Sequence, residues 1–205
     1  MTGVAVPAAG TTLDDRERLL SCTVALLIEL GPDALDLDVL CAASGVDRAA
    51  CDRLFDSIES VFVGVSARLL YSHVENPGAS VQPVGHLETA LRTALGIIWE
   101  HIERRIDEHH ALHVLMLAQI ADRSLIDRMG LSVHETHLRF TEGWLVKAAQ
   151  RYGIEWVVPI PQLATLVQAL FDGLIADFVV RRDGVQAREV LDIFAGQLSR
   201  NALQI

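Results

Sequence analysis

Residues 16–62, RERLLSCTVALLIELGPDALDLDVLCAASGVDRAACDRLFDSIESVF, decide how the rest of the chain is read. In their first half, Leu19, Leu20, Thr23, Leu26, Leu27 and Leu30 recur at three- and four-residue intervals, the spacing of one helix face. Asp14 and Asp15 just upstream are expected to cap that helix, and Gly31-Pro32 to stop it. Asp36 then caps a short helix to residue 43, Gly45 supplies the positive φ of a tight turn, and Asp47 caps a second short helix over 48–55. Asp56-Ser57 opens a longer helix that fades near Glu75. Two short helices joined at a Gly turn, after one longer helix, form the pattern of a helix-turn-helix, whose second short helix enters the major groove of DNA. On it, Arg48, Ala49, Ala50 and Arg53 are the candidate DNA-contacting residues.

Beyond this module, NPGASVQPVG at 76–85 is the one clear linker and sets the expected boundary. Residues 1–12 read as a disordered arm, 13–75 as a helix-turn-helix domain with its connecting helix, and 86–205 as a larger helical domain. The latter is expected to hold helices over 86–106, 109–122, 124–152 (broken at Gly130), 159–182 and 185–202. Val190, Ile193, Phe194 and Leu198 would form the apolar face of the last. No strand is expected, Val157-Val158 being too short, and the fold class is all-α.

The segment 16–62 resembles the DNA-binding domain of the TetR family of bacterial regulators. The resemblance rests on Arg16, Leu19, Leu20, Leu27, Gly31, Leu37, Leu40, Ala43, Gly45, Val46, Phe55, Ser57, Glu59 and Val61 in their order and spacing. A looser likeness runs through LATLVQALFDGLIADFVVRR, with its Asp172-Gly173 step, which looks like the family's penultimate helix. The resemblance implies a ligand-responsive transcriptional repressor that binds operator DNA as a homodimer. It also implies a small effector held between helices of the second domain, and a dimer interface built by the last two helices, about 161–181 and 185–203. Ala164, Ala169, Gly173, Ala176, Ala195 and Gly196 would let those helices approach closely.

The departures from the family pattern are chemical. Where the family has Thr-Leu-Tyr, this chain has Ala50, Cys51 and Asp52; where it has Ser-Lys-Glu, this chain has Ser57, Ile58 and Glu59. A Tyr and a Lys that commonly meet phosphate are thus replaced by Asp52 and Ile58. Residues 1–75 carry five Arg against twelve Asp and Glu, a balance of −7 within a total of −10. DNA affinity comes largely from Lys and Arg neutralising phosphates, so two readings stay open: a DNA reader with unusual contacts, or a degenerate helix-turn-helix acting through small-molecule or protein contacts.

Ligand pockets are mostly apolar with a few convergent polar groups. The candidates are Trp99, His113, Met116, Gln119, His137, Phe140, Trp144 and Phe171, of which His137, Phe140 and Trp144 form one helical stripe. The 51% hydrophobic content and mean hydropathy of +0.31 provide for a core and an interface besides. Cys22, Cys41 and Cys51, an odd number without C-x-x-C spacing, read as buried thiols. His109 and His113 at i, i+4 have the spacing of metal ligands, but no Cys lies nearby and neither a metal nor another cofactor is expected. No G-x-S-x-G, Gly-rich phosphate loop or H-E-x-x-H occurs, so an enzyme is not expected. The apolar run 163–180 is interrupted by Gln168, Asp172 and Asp177, and the N-terminus lacks a basic signal-peptide region; a cytoplasmic protein without membrane attachment is the expectation.

Overall fold

The computed structural model describes residues 10–74 and 86–204. The linker 76–85 and residues 1–9 of the expected arm lie outside that range. Helix α1 (Gly10–Leu30) starts earlier than the Asp14–Asp15 cap predicts. Those carboxylates sit inside the helix, where both pair with Arg18, at 3.3 and 3.6 Å, instead of capping backbone. Its inner face buries Leu19, Leu20, Thr23, Val24 and Leu27. Gly31, at φ +76°, ends it by donating its N–H to the Leu27 carbonyl.

Helices α2 (Leu37–Ser44) and α3 (Arg48–Leu54) follow the sequence reading closely. Asp36 accepts from the Val39 N–H at 2.8 Å, Asp47 accepts from the Ala49 N–H at 3.1 Å, and Gly45 takes the left-handed turn at φ +67°. Helix α4 (Ile58–Val74) opens with a reciprocal cap in which Ser57 and Ser60 each accept the other's backbone N–H. It passes close to α1 and to the end of α3 at Gly64. A Cβ there would stand 2.9 Å from Leu20 Cδ2 and 3.3 Å from Phe55 Cε1.

The remaining helices are α5 (Leu87–Arg104), α6 (Ile106–Ala121), α7 (Ser124–Met129), α8 (Val133–Tyr152), α9 (Ile160–Arg181) and α10 (Gly184–Ser199). The break at Gly130 is real, with φ +61°. Two short strands, β1 (Ile154–Trp156) and β2 (Ala202–Gln204), pair antiparallel with Ile154 opposite Gln204. This corrects the expectation of no strand and of a last helix running to residue 202. Three-residue strands carry no periodicity of their own. They form because the chain's end returns to the α8–α9 connection, where Val157 N–H meets the Asn201 carbonyl at 2.7 Å. The face of α10 is also revised. It buries Ala187, Leu191, Ala195 and Leu198 and turns Ile193 outward.

The apolar interior forms two clusters that do not divide at the linker. One joins α1–α4 to Ala111, Leu112 and Leu115 of α6, Leu125 and Met129 of α7, and Val133. The other joins α5, α8, α9 and α10. Ion pairs tie the same parts together: Arg68 on α4 reaches Glu17 on α1 and Glu108 on α6, and Arg128 on α7 meets Glu59 on α4 at 3.1 Å. Helix α9 has the length and apolarity of a membrane span, but Leu163, Ala164, Val167, Phe171, Leu174 and Ile175 are buried in the second cluster.

Candidate functional sites: the α3 surface and a polar cluster between α6, α8 and α9

The caps that fix α2 and α3 also decide which α3 residues look outward. Arg48, Ala49, Asp52 and Arg53 are exposed, whereas Ala50 and Cys51 are buried in the three-helix core. Of the four candidates, Ala50 is the one turned toward the core, leaving Arg48, Ala49 and Arg53 on the outer face. The Cys51 thiol, held beside Cys41, is pushed up to about 12, chiefly by burial. A thiol so far from ionising behaves as a small apolar group.

Arg48 is engaged by two carboxylates. Its Nε donates to Asp52 Oδ1 at 2.8 Å, one turn along α3, and an Nη donates to Asp38 on α2. Among the described residues Arg53 is the α3 cation with no ion pair. Ile58, where the resembled family commonly has a phosphate-contacting Lys, packs against the core. Asp38 had no local signal in the sequence; only the turn at Gly45 brings it to Arg48.

The eight ligand candidates separate in the structure. Gln119 is 3% exposed and its amide is fully engaged: Nε2 donates to the Leu131 carbonyl at 2.8 Å and contacts Met129 Sδ, while Oε1 accepts from the Val133 N–H at 3.1 Å. These bonds tie the α7–α8 turn to α6. Met116 packs on the first cluster, and Trp144 and Phe171 on the second. Trp99 is fully buried edge-to-face against Phe178, centroids 5.6 Å apart, with its indole N–H unpartnered. Phe140 is half-buried on α8.

His113 and His137 do come together, around a residue outside the candidate set. His113 Nε2 on α6 lies 3.4 Å from Asp172 Oδ1 on α9, within ion-pair range but too poorly aligned for a hydrogen bond. Its Nδ1 lies 3.1 Å from the His109 carbonyl. A carbonyl can only accept, so Nδ1 carries the proton, and Nε2 is protonated only when the ring is charged. Gln168 Nε2 donates to the same Oδ1 at 2.8 Å. The Asp172 carboxyl is held below its ordinary range: burial opposes this, but the contacts from His113 and Gln168 outweigh it. His113 is correspondingly raised, Asp172 and the His109 carbonyl outweighing burial. On α8, His137 is driven down to about 4, mainly by desolvation, and is neutral at pH 7. The sequence signal for Asp172 and Gln168 was their interruption of the apolar run on α9.

A second surface feature lies on α9. Leu166, Ala169, Gly173, Ala176 and Val180 form an outward stripe at helical spacing, with Val180 81% exposed. Gly173 faces open space, where a Cβ would meet nothing within 4 Å. Ala164 and Ala195, expected to serve the contact between helices of two chains, are instead fully buried within this one.

No protein-family model and no curated protein sequence matches the chain. Solved structures do. One, a proposed TetR-family transcriptional regulator from Syntrophomonas wolfei, superposes with a TM-score of 0.70 at 16% identity, over 92% of this chain and 96% of that one. A proposed TetR-family regulator from Rhodococcus sp. gives 0.68 at 14% identity, over 91% and 99%. The fatty acid degradation regulator FadR from Bacillus halodurans gives 0.67 at 11% identity, over 96% and 97%. Across nearly its whole length, the chain has the all-α fold of TetR-type transcriptional regulators.

Proposed function

We propose that this chain is a ligand-responsive transcriptional regulator of TetR type, a cytoplasmic repressor that binds operator DNA as a homodimer and performs no catalysis. The observation that carries the reading is the capped α2–turn–α3 unit with Arg48, Ala49 and Arg53 on its outer face. In this reading residues 13–75 are the DNA-reading head and 86–205 the regulatory body. The α9 stripe and the exposed Val185 and Ile193 of α10 form the isologous contact between two copies. That contact would set two α3 helices about one DNA turn apart, roughly 34 Å.

An effector bound among α6, α8 and α9 would act on DNA affinity through α4. The ion pairs Arg68–Glu108 and Arg128–Glu59 link α4 to the body, so a displacement of α6 or α7 tilts α4 and alters the α3 spacing. The effector shifts this equilibrium only by its differential affinity for the two states.

The carboxylate pair on Arg48 favours a second reading, a helix-turn-helix that has lost DNA affinity and works through small-molecule or protein contacts. One experiment separates the two. The full chain is titrated with its own upstream DNA across a salt series. A regulator gives saturable, sequence-selective binding that weakens as salt rises. No binding at low salt would reject the regulator and leave the second reading.

A further inference from the structure

We propose that the partly exposed polar cluster around Asp172 is a binding site for a protonated amine carried on an apolar body, and that the amine competes with the proton of His113. The proposal rests on the effector-binding reading above and gives the effector a chemical class.

The argument is one of charge and of vacant hydrogen-bonding capacity. Both contacts to Asp172, from Gln168 and His113, fall on Oδ1. The carboxylate, 23% exposed, keeps Oδ2 for another donor. Its other neighbour, His137 on α8, is half-buried beside it, so the cluster is reached from solvent where α6, α8 and α9 meet.

Among the described residues, the charged and titratable groups facing His113 are Asp172 from α9 and His137 from α8, with His134 beside His137. On its own helix are His109 and, farther along, Glu108, which is occupied by Arg105 at the α5–α6 junction and Arg68 on α4. With His137 neutral, the cluster carries net charge −1 when His113 is neutral and zero when it is protonated. Among the described residues it carries no net positive charge for an anion, and the cation it can hold, His113, is already opposite Asp172. An ammonium group meets the unmatched carboxylate, donates to Oδ2 and replaces the imidazolium charge. The balance is simple: below the His113 titration, one proton leaves His113 Nε2 for solvent as one ammonium binds. The apolar body of the ligand would lie against the apolar side chains of α8 and α9 that pack together in the second cluster.

The test uses the full chain without DNA and matched probes on one skeleton: 4-phenylbutylamine, 4-phenylbutanol and 4-phenylbutyrate, with a naphthyl series beside it. Calorimetry is run from pH 5.5 to 8 in two buffers of different ionisation enthalpy. The amine is expected to bind at least tenfold more tightly than the carboxylate. Its affinity should rise toward tenfold per pH unit while His113 is protonated, with proton release visible between buffers. Asp172→Asn should lose at least tenfold in amine affinity while keeping that for the alcohol. His113→Gln should bind the amine with no pH dependence, an outcome that stands even if the Asp172 variant fails to fold. Equal binding of amine and carboxylate, an unchanged Asp172→Asn, a pH slope surviving in His113→Gln, or no amine binding would each overturn the site. In a separate titration of the full chain with its upstream DNA, amine binding that leaves DNA affinity unchanged would sustain the site and sink the effector reading instead.

Discussion

Replacing Gln119 with Leu tests whether this residue is a structural clamp or a ligand contact. The Val133 N–H is one of the unsatisfied donors at the start of α8, and Val133 is 2% exposed, so water cannot take the place of Gln119 Oε1. The Leu131 carbonyl, partly buried, loses its 2.8 Å donor as well. Leu is nearly isosteric, so little cavity opens, and the cost is that of two stranded polar groups. At about 1–3 kcal/mol for a well-buried group and less for a partly exposed one, the sum is about 3 kcal/mol. For a protein of this size that is a fall in Tm of roughly 6–12 °C. The measurement is urea unfolding followed by circular dichroism at one protein concentration for parent and variant, which holds any contribution from association constant. A ligand-facing amide would instead change stability by under about 0.5 kcal/mol, as for substitutions away from buried networks. A loss below about 1 kcal/mol would refute the clamp.

Acid stability should depend on His137. A histidine lowered from 6.5 to about 4 contributes stability that is fully present above its unfolded value and lost as pH falls from 6.5 toward 4, about 3 kcal/mol in all. His137→Gln should flatten the fall in Tm between pH 6.5 and 4.5 relative to the parent, and parallel curves would contradict the assignment. On the recognition surface, Asp38→Asn with Asp52→Asn releases Arg48. DNA affinity should rise, and the slope of log affinity against log salt should steepen by about one for each recognition helix; identical slopes would show that Arg48 is not withheld from phosphate by these carboxylates. Gly173→Arg adds bulk where the protomer leaves open space. Sedimentation equilibrium should show a homodimer becoming monomer at unchanged helicity, and an unaltered oligomeric state would remove α9 from the interface.

The sequence by itself determined the elements whose signals are local. Asp36, Gly45 and Asp47 act on backbone within three or four residues of themselves, so α2, the turn and α3 could be read from neighbours alone. The break at Gly130, the stop at Gly153 and the opening of α9 were legible for the same reason. Periodicity said that α10 was amphipathic but misjudged which residues it buries, because both its sides carry apolar groups and only packing against α5 selects one. Tertiary structure alone decided the rest. Strand β1 exists because β2 returns to it from 48 residues away. Arg48 is neutralised because the turn carries Asp38 beneath it. Both ends of the Gln119 amide are hydrogen-bonded because α7 folds back onto α6. Asp172 sits in a charged cluster because α6, α8 and α9 bring His113, His137 and Gln168 around it. A helix cap is a contact within one turn of chain, whereas an ion pair or a polar cluster depends on where distant helices come to rest.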